Sequence, residues 1–158
     1  SILQVSGQLD DKMYGPGTLD ENMKRRSIYF FIKRSKLIPS MMIFDAPNSL
    51  QSMALRPVTT VAPQALMLLN NPVILDAASN LAKRVTNEST MSITDSVSKA
   101  YWLAIGRDPN PDELERAGRF LKAQSITYRD AGEKNSDLVA LSDFCQVLFG
   151  LNEFVYVE

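Results

Sequence analysis

Eighteen carboxylates, one thiol and no imidazole make up the side chains from which this chain could build acid–base or nucleophilic chemistry. The absence of histidine excludes Ser–His–Asp and Cys–His arrangements, a histidine general base, and His-ligated zinc or haem iron. The candidate groupings among these acids are Asp10 with Asp11, Asp112 with Glu113 and Glu115, Asp137 with Asp143, and Glu153. A glycosidase needs two carboxyl groups about 5–10 Å apart across a cleft. Nothing in the one-dimensional spacing singles out such a pair, so no catalytic residue is assigned. Asp112, Glu113 and Glu115 follow Pro111 and suit the positive end of a helix dipole. No alternating DxDxDG loop is present, and no metal site is expected. Cys145 sits on an apolar face between Phe144 and Leu148 and reads as a buried structural thiol.

A second kind of chemistry is concentrated in residues 24–36, KRRSIYFFIKRSK, where six of thirteen residues are basic and none is acidic. Lys24, Arg25, Arg26, Lys33, Arg34 and Lys36 could form a phosphate- or sulfate-binding patch, with Tyr29 stacking on a base or sugar. The competing reading turns Ile28, Phe30 and Ile32 inward and leaves the charges on solvent or paired with acids. Asp20, Glu21 and Asp45 flank the stretch and partly cancel its field. We favour this second reading. Arg25, Arg26, Asp45 and Arg56 are further expected to form a structural ion-pair network rather than an arginine-lined pocket. If that pair were buried, losing Asp45 would cost about 3–5 kcal/mol.

These residues need elements to hold them. Residues 1–23 carry turn signals such as YGPGT at 14–18, with a helical turn expected around Leu19 to Arg25. SIYFFIKR reads as a short strand or an extended buried segment, and DAPN at 45–48 reads as a loop. From Pro63 onward the pattern is helical. Asn71 and Pro72 cap and open a helix with Ile74, Ala77, Ala78, Leu81 and Val85 on one face. Thr94 is expected to cap the next helix, with Val97, Ala100, Tyr101, Ala104 and Ile105 inward and Gly106 at its end. Pro111 opens another, with Leu114, Ala117 and Leu121 inward and Phe120 at the flank. SITYRDAGEKNS at 125–136 reads as a loop. Ser136 is then expected to cap a last helix whose inner face is Leu138, Leu141, Cys145, Leu148 and Asn152. Asn152-Glu153 reads as a cap with a partner arginine, and FVYVE as a segment that pairs at an edge or docks under the helices.

The 158 residues could bury about 70% of their unfolded surface as one domain. A net charge of −1 argues against bulk attraction to polyanions. The longest apolar run, ALMLL at 65–69, falls far short of the roughly 20 residues that span a bilayer. The first residues contain neither a signal-peptide pattern nor an initiating Met, and a piece of a longer protein is expected.

The order RRSIYFFIKR, FDAPN, RPVTTVAPQALMLLNNP, AYWLAIGRDPNPDELERAGRFL and LFGLNEFVYVE resembles one bacterial family. It is the domain of unknown function numbered fifteen fifty-three, also called PSD-one, expanded in planctomycetes. Thr59-Thr60-Val61-Ala62-Pro63 stands where many members have Thr-Asn-Thr-Pro, a subfamily variant. The resemblance implies a C-terminal domain of long exported proteins, with a cytochrome-c-like haem domain upstream and an extracytoplasmic location, periplasmic or cell-surface. It supplies no catalytic residue. The chain itself contains no CxxCH, so the haem would belong to that upstream part and no cofactor is expected here.

The expected fold is mostly α. A helical part, 63–158, forms a bundle of four to five helices, wrapped by an irregular N-terminal third, 1–62, with room for one short strand pair. The favoured function is a non-catalytic interaction or scaffold module, its partners the upstream domains or another protein, with neither nucleic acid nor a membrane span. The alternatives are a module for anionic polysaccharide and a carboxylate-based glycan hydrolase.

Overall fold

The structure is a computed structural model and describes residues 1–33, 38–46, 62–86 and 92–156. Along these residues run α1 (Ile2–Val5), a 3₁₀ turn (Ser27–Tyr29), α2 (Pro39–Ile43), α3 (Ala62–Asn70), α4 (Pro72–Thr86), α5 (Ile93–Ile105), α6 (Pro111–Asp130), α7 (Ser136–Phe149) and α8 (Asn152–Val155). The protein is thus mostly helical, as its periodicity requires. Extended pairing among the described residues is confined to two isolated parallel bridges, Asp10 with Arg25 and Thr18 with Phe30. The chain forms two compact units: Ser1–Gln8 with Leu68–Glu158, and Leu9–Met67.

In the helical unit α4 begins where Asn71 accepts a bond from the Val73 N–H through its side chain (2.8 Å), and Pro72 supplies the pre-set first turn. The expected face of α4 is buried in full, Ile74, Ala77, Ala78, Leu81 and Val85, together with Ala82. Its most extensive packing is against α7, whose Ala140, Leu141, Phe144, Cys145, Leu148 and Phe149 are buried. The alanines on these two helices let their axes approach closely, while Leu81, Leu148 and Phe149 fill the volume between them. α6 packs on α7 and α5 on α6. The rings of Tyr101, Phe120 and Phe144 stand 6.2 and 6.4 Å apart in tilted pairs. Gln146 donates to the main-chain oxygens of Leu68 (3.0 Å) and Leu69 (2.7 Å), satisfying carbonyls at the end of α3.

The first eight residues belong to this unit. Arg84 donates to the carbonyls of Val5 (2.8 Å) and Gln4 (3.3 Å), and Gln8 donates to Asp76 (2.6 Å). The N-terminal helical turn therefore lies at 2–5. Over 19–25 the chain makes only a turn, closed by the Met23 N–H on the Asp20 carbonyl.

Three helix boundaries differ from expectation. Ser92, not Thr94, caps α5 by accepting from the Asp95 N–H. α7 starts at Ser136 itself, with Asn135 before it making no side-chain cap. α6 runs on to Asp130 through the segment expected to be a loop. Its Ser125 is buried, and Tyr128 donates to Asp143 on α7 (2.7 Å), so tertiary contacts hold a stretch whose local composition is polar. At the other end of α5, Gly106 adopts φ 80° and donates to the Trp102 carbonyl, as expected of a C-terminal glycine. Leu114, Phe120, Ala104 and Ile105 are only half-buried, and Leu138 likewise. Asn152 is exposed and opens α8, which docks Phe154 against Phe149 at 5.1 Å. Phe154 and Val155 of the FVYVE stretch thus belong to a docked helix and not to a strand, and Val157 and Glu158 lie outside the described residues.

Candidate interaction surface

In the unit Leu9–Met67 the YGPG turn carries an unusual backbone. Tyr14 has φ 65° and Gly15 φ 94°, so a non-glycine residue occupies left-handed space that costs it steric strain. That conformation is held from the basic stretch. The Tyr14 N–H donates to the Tyr29 hydroxyl (2.9 Å), and its carbonyl accepts from Arg25 Nη2 (2.5 Å). Arg25 Nε also donates to the Lys12 carbonyl (3.1 Å), while its guanidinium lies 3.6 Å over the Tyr29 ring. A planar, five-donor cation suits this mixture of carbonyls and aromatic face in a way that lysine would not. Further along, the Thr18 N–H bonds the Tyr29 carbonyl (3.0 Å), and the Phe31 N–H bonds Thr18 (2.8 Å). A Cβ on Gly17 would stand 3.2 Å from the Tyr29 oxygen, so glycine permits this close approach.

Two short segments are thereby tied together, and their apolar side chains face out. Met13, Tyr14, Ile28, Phe31 and Ile32 are each 55–79% exposed. This corrects the expectation that Ile28 and Ile32 point inward. The 3₁₀ turn at 27–29 breaks the two-residue alternation on which that expectation rested. Phe30 alone of the three is half-buried.

The six cations of the stretch are not equivalent. Lys24, Arg26 and Lys33 are exposed, and Arg25 is the half-buried anchor just described. Arg34 and Lys36 lie outside the described residues, as does Arg56 of the expected ion-pair network. Asp45, at the end of α2, has φ 57°, which an aspartate tolerates better than most residues.

In the helical unit Glu113, Asp137, Asp143 and Glu153 have structural partners. Arg107 donates to both oxygens of Glu113 (2.9 Å each) and to both of Glu153 (2.7 and 2.9 Å). Its guanidinium also lies 5.4 Å from the centre of the Tyr101 ring. Glu113 at the same time closes a capping box with Asn110: Asn110 accepts from the Glu113 N–H, and Glu113 accepts from the Asn110 N–H. Hydrogen bonding from Arg107 holds the Glu113 carboxyl down at about 2 and lowers Glu153 as well. The same two bonds raise Arg107 further above the ordinary guanidinium range. Burial, then Glu113, raises Tyr101. Asp137 accepts from the Ser125 hydroxyl and lies 3.7 Å from Arg129. Asp143 accepts from Tyr128 and, at 3.4 Å, from Gln124. The bond to Asp143 raises the Tyr128 hydroxyl.

A glycan hydrolase needs a carboxyl raised into the proton-donating range; Glu113 and Glu153 are driven the other way. Among the described residues no group of three or more acids or thiols is gathered to hold a metal ion. Cys145 is fully buried, and burial pushes its thiol up to about 12. The Arg107 cluster escaped the sequence reading as a unit, although Asn110 followed by Glu113 carries the capping-box spacing and Glu153 already called for an arginine.

No curated protein and no solved structure matches this chain. A family model does match, over residues 1–121, more than half of the length. Four of the five motifs lie within the matched residues, and the fifth, at 148–158, lies beyond them; the chain belongs to the PSD1 family, described as protein of unknown function (DUF1553).

Proposed function

We propose that this domain is a non-catalytic interaction module, docking through the unit Leu9–Met67 onto another part of its own protein or a partner protein. The observation that supports it is the group of exposed side chains Met13, Tyr14, Ile28, Phe31 and Ile32 on two hydrogen-bonded segments. A clustered apolar surface rimmed by charge is the usual mark of a contact site. The setting is the one the family resemblance implies: an exported, cytochrome-associated planctomycete protein in the periplasm or at the cell surface. Redox chemistry there stays with the haem portion. In this reading Arg25 is a structural charge that holds the two segments together.

A second reading rests on the exposed cations Lys24, Arg26 and Lys33 beside the apolar group: a site for anionic polysaccharide. One titration separates the two. The chain is titrated with the haem-bearing segment of its own protein and, separately, with heparin and dextran sulfate, each at low and moderate salt. Two variants run alongside, I28D/F31D/I32D and K24A/R26A/K33A, both of which leave the Arg25 anchor intact. The contact module predicts salt-tolerant binding to the protein segment that only the first variant abolishes. Saturable, salt-sensitive binding to the polyanions that only the second variant abolishes would replace it.

A further inference from the structure

The helical unit contains a second feature that the contact surface does not use. A cleft of about 700 Å³ opens between the end of α4, the start of α5, the second half of α6 and the start of α7. That volume lies within the range of small-molecule sites and is far beyond what one trapped water fills. Its apolar wall is formed by Ile93, Leu121, Ile126, Leu138 and Leu141.

The polar groups in this cleft are the informative part. Ser96 and Ser136 line it, are only 8% and 7% exposed, and their hydroxyls have no hydrogen-bond partner among the described residues. Buried hydroxyls are normally paired, because an orphan forfeits the bonds it had in water. Two of them facing the same space therefore point to something that occupies it. Beside them stands the start of α7. Asn135 provides no side-chain cap, and the first main-chain bond of the helix is made by the Val139 N–H, which leaves the amides of Ser136, Asp137 and Leu138 to an outside acceptor.

The charges agree in sign. Arg129, Lys122 and Lys134 border the cleft against one carboxylate, Asp137. Asp137 is already engaged by the Ser125 hydroxyl and Arg129, whereas Lys122 and Lys134 make no ion pair among the described residues. We propose that this cleft binds a small organic anion, its oxyanion head at Ser136, the α7 amides and the two lysines, and its apolar body along Leu121, Ile126 and Leu141.

The test is a titration of the ¹⁵N-labelled chain with octanoate, octyl phosphate and 1-octanol, followed by amide shifts. Saturable shifts of Ser96, Ser125, Ser136 and Leu138 are expected with either anion, with 1-octanol at least about tenfold weaker, one head-group interaction's worth of affinity. S96L should remove binding by filling the cleft. K122Q/K134Q changes only exposed side chains, cannot unfold the bundle, and should weaken both anions several-fold while leaving 1-octanol unchanged. Comparison of the two anions identifies the head group. Absence of shifts at these amides, shifts confined to other residues, or equal binding of 1-octanol would overturn the proposal.

Discussion

In the helical unit Leu81, Val85, Val97, Cys145, Leu148 and Phe149 are each less than 2% exposed, whereas the described residues of Leu9–Met67 bury only Ile38 and Gln64. The first unit gains its order from side chains removed from water, the dominant favourable term in folding. In the second, residues 9–33 gain it from main-chain bonds, a strained tyrosine held by an arginine, and a glycine that lets two segments touch. Hydrogen bonds of that kind add only about 0.5–1.5 kcal/mol each. They organise a surface without hiding it. A segment ordered in this way keeps its apolar residues outside, which is what a docking surface requires and what a free-standing core forbids.

The contrast can be broken or sharpened by experiment. The largest expected effect is chemical: Cys145 should react with a thiol reagent at least ~10³-fold more slowly in the native protein than in denaturant, because reaction waits on unfolding. Rapid native labelling would mean that the α4–α7 interface opens on its own. Phe149→Ala, in the middle of that interface, should cost about 3–5 kcal/mol, and Leu81→Ala about 2–5 kcal/mol, read from denaturant unfolding by far-UV circular dichroism. Trp102 is 63% exposed, so its fluorescence is the poorer reporter of the same transition.

A smaller effect concerns acid. Glu113 stands at about 2 in the fold against an ordinary 4.5. Its contribution is therefore fully present above pH 4.5 and is lost as the pH falls from there toward 2. With half-exposed Arg107 screened by water, that contribution is about 1–2 kcal/mol. Arg107→Gln should flatten this acid limb while leaving the neutral-pH melting curve helical. An unchanged slope would place the loss on other carboxylates. Smallest of all, Arg25→Ala should leave the melting of the bundle within about 0.5 kcal/mol yet abolish hydrogen-exchange protection at the Tyr14 amide. A large loss of global stability would show that the two units share more energy than their separate interiors suggest.

The same difference explains what the sequence makes legible. α4 could be read almost residue by residue because Asn71, Pro72 and an apolar residue every third or fourth position act together, and packing against α7 rewards that pattern. Gly106, the start of α6 at Pro111 and the buried thiol were readable for the same reason. The end of α6 was not, since Ser125 and Tyr128 are polar by type and are held helical by Asp137 and Asp143 from another helix. In residues 9–33 the alternation that suggests a buried strand is not matched by burial: among them no apolar residue is fully buried. Ile28 and Ile32 are exposed, and Arg25 bonds carbonyls, partners that carry no side-chain signature. Of the proposed cleft, Leu121, Leu138, Leu141 and Ser136 are legible as helix residues and Asp137 as an acid. Nothing local announces that Ser96 and Ser136 meet the same space.

The bond from Arg84 to the Val5 carbonyl joins positions 79 residues apart, so the helical unit is written in two pieces of chain with a long excursion between them. Closing such a loop costs about 4 kcal/mol of chain entropy, but doubling its length would add only about 0.6 kcal/mol. The excursion is thus nearly free to lengthen, shorten or accept insertions. During synthesis the first eight residues must wait, undocked, until α4 has emerged. Halving the excursion would shorten that wait while lowering the closure cost by only about 0.6 kcal/mol.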